Sequence, residues 1–321
     1  MSASTSNPPS PFHVTWHGAS RLTRAQFQAL RVQCLPPENQ PTDIPKSKIV
    51  QFGLSRSLRT AKDWLGSFPP FQQYLRHVST TQHTMPWRIG DSTQAANGLG
   101  IMELPRRKQE LVMAGTDVDE ELVVSSLLAF LEAITLRHPD VKCDWSARRR
   151  NLKANFGASD LRVIVDGALV DPTNNNLKAL IEAKKRSSRG FGETISATWQ
   201  QAAEVVTAIR AQNLTPGTPV FLISQEADEL FLVVARFGEK YLHYISGRTM
   251  TLASKDFLAL ERFGPWKISD AQHLEMFAEI ALAIAIQCTA AVKATSITWV
   301  FFINLKPFAS IASWTNYEEE D

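Results

Sequence analysis

Asp160, Glu182 and Lys184 are the residues in the middle of the chain whose types fit them for chemistry together. Two carboxylates brought face to face suit a hard divalent cation, since Mg²⁺ takes oxygen ligands and completes its shell with water and phosphate. A cation held in that way acidifies a bound water and offsets charge on a leaving oxygen. A lysine alongside orients that water or stabilises a charged transition state. Glu182 and Lys184 are two residues apart, so on a strand they share a face, while Ala183 points the other way. Three charges at the end of an apolar strand are costly unless they bind something.

The elements around these residues must bring them together. Leu161–Val165 is β-branched and apolar, 170–176 is dense in turn residues, and 177–183 reads as a returning strand. The spacing predicts one antiparallel hairpin with its loop centred near Thr173. Positions equidistant from a turn lie opposite each other. Asp160 is therefore expected opposite Lys184–Arg186, and Asp166 nearer the turn, opposite about Leu180. On this register Asp160 approaches Glu182 and Lys184, and Asp166 does not.

Ahead of the hairpin, Asp117–Glu120 resembles a capping box, and Val124, Leu127, Leu128, Leu131 and Ile134 follow at helical spacing. That helix should end before His138-Pro139. A strand is expected over Cys143–Leu152, which carries the basic run Arg148–Arg150. After the hairpin come a helix over 195–212, strands over 219–224 and 229–237, and a further pairing segment at 241–246. Phe263–Trp266 reads as a turn, and 270–292 as the last helix.

Ser159-Asp160, then Glu182-Ala183-Lys184, then a helix carrying Gln201, resembles the PD-(D/E)XK nuclease superfamily. Together with the segments IEAKKR, WQQAAEVVTAI, FLISQEADELFLVV and FGPWKI, the likeness is greatest to fungal members and spans about residues 117–290. It implies an α/β fold with a restriction-endonuclease-like core: a helix, a mixed β-sheet with an antiparallel meander, and flanking helices. It implies Asp160, Glu182 and the Ala183 main chain as metal ligands, Lys184 as the catalytic lysine, and Gln201 as a supporting site residue. Gln200 points about 100° away on the helix and is the weaker of the two. Glu120 has two readings, a site glutamate used by some members and a capping residue. The implied cofactor is Mg²⁺ or Mn²⁺, and the implied activity is cleavage of DNA or RNA. Ser159 stands where the pattern has proline, and some members have lost catalysis. The alternative is therefore a non-catalytic module, effector-like in one version, that binds nucleic acid or protein.

Composition constrains the remainder. The chain has 321 residues, 44% hydrophobic and 21% charged, an ordinary globular balance, and its net charge of +2 says little about partners. Between Trp145 and Gly190, however, ten Lys or Arg face four Asp or Glu. Lys185, Arg186, Arg189 and Arg148 are the candidates there for phosphate contacts, which would make binding salt-dependent. Three scattered cysteines without a CxxC indicate neither a zinc ribbon nor a disulfide framework. There is no HExxH, GxSxG or phosphate-binding loop, and Gly190-Phe-Gly192 lacks the third glycine of a dinucleotide fingerprint.

Residues 1–45, rich in Ser, Pro, Gln and Asn, are expected to be a disordered arm with a short helix near 23–33. An irregular extension is expected over 46–115, the nuclease-like domain over 116–292, and a tail ending in acids over 293–321. Ile280–Val292 is apolar for about 13 residues, short of the roughly 20 that span a membrane, so a buried helix is expected and no membrane. With no secretory signal at the N-terminus, the expected location is nuclear or cytoplasmic.

Overall fold

β-Branched and aromatic runs separated by turn residues build a mixed sheet, and apolar helices cover both its faces. The computed structural model describes residues 10–16, 18–34, 43–81, 99–115, 118–157, 159–185, 191–249 and 251–303. The strands are β1 (Val32–Cys34), β2 (Asp144–Ser146), β3 (Arg150–Asn155), β4 (Asp160–Val165), β5 (Gly167–Val170), β6 (Leu177–Lys184), β7 (Val220–Glu226), β8 (Glu229–Arg236) and β9 (Leu258–Lys267). Seven of them form one sheet in the order β1-β9-β8-β7-β6-β5-β2, and β3 and β4 form a separate pair. β1 runs parallel to β9 and β6 parallel to β7, and the other pairs are antiparallel.

The helices are α1 (Arg24–Ala29), α2 (Lys46–Gln51), α3 (Ser55–Ser67), α4 (Pro69–Thr81), α5 (Glu103–Ala114), α6 (Glu120–Thr135), α7 (Phe191–Gln212), α8 (Glu239–Ile245) and α9 (Ala271–Ile303). Strand alternation divides the core in two. Ala179, Ile181 and Ala183 of β6 face the layer of α3, α4, α6 and α9. Leu180 faces α7, whose Val205, Val206 and Ile209 pack with Leu222 of β7 and Val233 of β8. Glu182 and Lys184 share the parity of Leu180, so they belong to the α7 face.

The α/β class and mixed sheet agree with expectation, and several local readings do not. The described residues of 46–115 are not an irregular extension: α2 to α5 lie among them, and Leu65, Phe71, Tyr74 and Val78 are buried against α6 and α9. Pro69 and Pro70 open α4 instead of breaking it, because the first turn of a helix has no intrahelical use for the missing N–H. The segment at 241–246 is not a strand. It is α8, whose Tyr241 and Tyr244 hydroxyls donate to the Leu30 and Ala29 carbonyls, each at 2.8 Å. Phe263–Trp266 is not a turn but part of β9, at a register shift where Gly264 has φ 115°.

Among the described residues one helical stretch, Ala271–Ala290, is long and apolar enough to cross a membrane by length and composition, and most of it is buried inside the molecule. Packing against α3, α4 and α6 accounts for its apolar character.

The single predicted hairpin is the other departure. β2 and β3 face β5 and β4 as one long antiparallel pair with a sharp bend. Asp144–Ser146 pairs with 170–168, and Arg150–Asn155 pairs with 165–160. Ser146 to Arg150 is four steps while Val165 to Ala168 is three, so one residue is extra on the first arm, as in a bulge. At the bend an added Cβ on Gly167 would lie 2.7 Å from the Ser146 carbonyl oxygen, so only glycine fits. Beyond it, β3 and β4 leave the sheet as a two-stranded ribbon whose inner face, with Leu161, Val163 and Val165, packs on α7.

Candidate active site

The bend decides which acid meets β6. The β5–β6 ladder ends at Gly167↔Ile181, and the Asp166 N–H donates to the Ile181 carbonyl at 3.1 Å. The Asp166 side chain then replaces the next ladder bond: its Oδ2 accepts the Ala183 N–H at 3.0 Å. Asp166 is buried and held against the strand that carries Glu182 and Lys184. Main-chain groups alternate along a strand, so the Ala183 carbonyl faces the same side as its N–H, toward Asp166.

Asp160 lies elsewhere. It sits opposite Asn155 at the far end of the ribbon, six residues from Asp166, which is about 20 Å of strand. Its carboxylate is 2.8 Å from Lys153, 2.9 Å from the Asn155 amide that donates to it, and 3.8 Å from Arg162. The hydrogen bonds from Lys153 and then Asn155 hold it below the usual carboxylate range. The expected register, with Asp160 opposite Lys184–Arg186, is thus corrected. It assumed an unbroken hairpin, and the bend at Asp166-Gly167 turns β4 away from β6.

Glu182 is 2% exposed at its side chain and forms an ion pair with Lys184. Its Oε1 also accepts from Gln200 Nε2 at 2.5 Å, and Oε2 has no hydrogen-bond partner among the described residues. Burial pushes its carboxyl up to about 7; Lys184 opposes the rise and Asp166 adds to it. Burial also works against the Lys184 ammonium, but Glu182 beside it outweighs that and holds Lys184 above its ordinary value.

Gln200 and not Gln201 is therefore the glutamine on the acid. Gln201 is buried one position away and donates to Ser224 Oγ at 3.5 Å. Gln200 Nε2 also reaches Glu204 Oε1 at 2.9 Å. Glu204 is fully buried, and its Oε2 lacks a partner among the described residues. Burial, then the nearby Glu182, raise its carboxyl well above the ordinary value.

Glu120 is the first residue of α6. Asp119 caps that helix, accepting the Leu122 N–H at 2.7 Å, and Glu120 lies 3.9 Å from the Lys184 ammonium. The expected cap, Asp117, lies outside the described residues. Lys185 and Arg148 are exposed, whereas Arg186 and Arg189 lie outside the described residues. Arg149 Nε stands 3.6 Å from Asp166 Oδ1.

The polar band continues across the sheet. Glu226, paired with Lys184 in the β6–β7 register, is buried and accepts from Arg262 at 2.7 Å. The Arg262 guanidinium lies 3.7 Å from the Phe231 ring centroid. Asp166 was set aside in the sequence because the unbroken hairpin placed it opposite about Leu180, and Glu204 and Glu226 went unassigned, yet each is an acid inside an apolar run (VIVDGALV, AAEVV, FLISQE), which signals a charge carried into the interior.

No family model matches this chain, no curated protein matches it, and no solved structure matches it.

Proposed function

We propose that the chain is a divalent-metal-dependent nuclease with a restriction-endonuclease-like core, hydrolysing phosphodiester bonds of DNA or RNA. The observation that carries this reading is the convergence of Asp166, Glu182 and Lys184 at the bend between β4 and β5. The succession of α6, the antiparallel β5–β6 pair, α7 and then parallel β7 supports the core assignment.

The donor set suits Mg²⁺ or Mn²⁺. Two carboxylates and the Ala183 carbonyl are all oxygen donors, and the unpartnered Glu182 Oε2 is a buried acceptor waiting for a positive group. Among the described residues no group of three or more His, Cys, Asp or Glu forms a ligand cluster, so water and the substrate phosphate must complete the shell. When bound, the cation supplies an acidified water and charge compensation at the phosphate. Asp166 and Glu182 would hold it, and Gln200 fixes the Glu182 carboxylate. The Lys184 ammonium, kept charged by Glu182 and Glu120, orients the attacking water or steadies charge on the phosphate.

The test is cleavage of labelled single- and double-stranded DNA and RNA with Mg²⁺ or Mn²⁺, wild type beside Lys184→Ala and Asp166→Asn. Cleavage that needs metal and disappears in both variants is the expected result. Folded protein that cleaves nothing and binds no Mn²⁺ would overturn it. One observation favours a second reading, a non-catalytic module on this fold: Lys184 and Gln200 already occupy Oε1 of Glu182, and Gln200 also holds Oε1 of Glu204.

A further inference from the structure

We propose that the outward face of the β3–β4 ribbon is a docking surface for duplex DNA, placed beside the active site. The inference takes its substrate from the nuclease reading but stands on different residues. Alternation puts Asn151, Lys153 and Asn155 of β3 on that face with Asp160, Arg162 and Ile164 of β4. Arg148 and Arg149 are exposed at its base, where Arg149 approaches Asp166, so the ribbon starts at the site and runs away from it.

The register sets Lys153 directly opposite Arg162. Like charges in that position destabilise a strand pair. Among the described residues a single carboxylate, Asp160, serves both. With side chains 55% and 65% exposed, Lys153 and Arg162 present an excess of positive charge to solvent. A polyanion offsets that repulsion and gains free energy by releasing its counterions. Ile164, 58% exposed, adds an apolar contact of the kind a thymine methyl takes.

The shape selects among nucleic acids. A two-stranded ribbon fits the major groove of B-DNA, roughly 12 Å wide. The major groove of duplex RNA is too deep and narrow for side chains to read. Single strands are held by aromatic stacking platforms, and the described residues of this face include no aromatic side chain. Six residues of strand at about 3.4 Å each cover roughly six base pairs.

The experiment is binding of the full chain to labelled duplex DNA, duplex RNA and single-stranded DNA, in EDTA so that catalysis and metal play no part. The Lys153→Glu/Arg162→Glu double variant is compared with Arg56→Glu/Arg59→Glu, an equal charge change on the exposed side of α3. Thermal melting verifies that both fold. The expected result is a preference for duplex DNA that the ribbon variant weakens about 10- to 100-fold at moderate salt, with a shallower salt slope, while the α3 variant changes it little. Equal losses in both variants, no loss in the ribbon variant, no binding, or tighter binding to duplex RNA or single strands would each overturn the proposal. Cleavage lost in Lys184→Ala with ribbon binding intact would separate a failure at the active site from one at the ribbon.

Discussion

Asp166 and Asp160 lie on one continuous strand path, six residues apart, and the fold gives them opposite circumstances. Asp166 is buried at the bend, bound to the main chain of β6 and close to Glu182. Asp160 stands at the ribbon's far end among Lys153, Asn155 and Arg162, where it trims a basic face. The residue type is the same, and position relative to one glycine bend separates a candidate metal ligand from a surface counter-charge.

The sharpest way to break that contrast is to mutate each side. Asp166→Asn, Glu182→Ala or Lys184→Ala is expected to lower metal-dependent cleavage by about 10³-fold, the scale of losing a group that stabilises the transition state. Asp160→Ala is expected to leave the rate of cleavage little changed. A collapse of single-turnover rate in Asp160→Ala alone would reverse the assignment.

A smaller effect should separate the two glutamines. Gln200→Leu removes the bond that orients Glu182, and losses of 10- to 100-fold in metal affinity or rate are usual for such outer partners. Gln201→Leu loses only a long contact to Ser224 and should change the rate less. Equal rates in the two variants, with melting temperatures matched, would contradict the geometry.

Acid–base behaviour tests the buried side in the absence of metal. Folding raises the Glu182 carboxyl from an ordinary 4.5 to about 7, so the folded chain binds this proton more tightly than the unfolded chain. The stabilisation is complete below about 4.5, is lost as pH rises toward about 7, and stays lost above it. Glu182→Gln abolishes the charged form. Its melting temperature is therefore expected to gain on that of wild type across this window and to exceed it above about 7. A difference that does not vary with pH would rule out titration of Glu182 as the cause.

The smallest effect belongs to the ribbon. Asp160→Asn removes the carboxylate that, among the described residues, offsets Lys153 and Arg162, so duplex DNA affinity should rise by about two- to tenfold, most at low salt. Weaker binding in this variant would mean that Asp160 organises the face and does not merely offset its charge.

Much of the core was legible from residues alone. The apolar stripe of α6, the strands β6 to β8 and the pair Glu182–Lys184 on one face all follow from simple periodicity. The bend was not legible, because LRVIVDGALV reads as one unbroken strand and only Gly167 marks the break. The phase of α7 was hidden for another reason: residues 201–209 are buried on every side, so apolar spacing cannot tell which glutamine meets the sheet. In the N-terminal third, prolines at a helix start imitate helix breakers.

β1, only three residues long, pairs in parallel with β9 through Val32↔Leu258 to Cys34↔Leu260, and the two α8 tyrosines tie down the chain just before it. Strand edges left open are templates for another chain to add to. The segment around Val32 thus acts as a guard on the sheet. A version of the protein beginning after Cys34 would bare the apolar end of β9 and invite self-association, and it would also strip Phe27 from its stack on Trp199 beside Gln200.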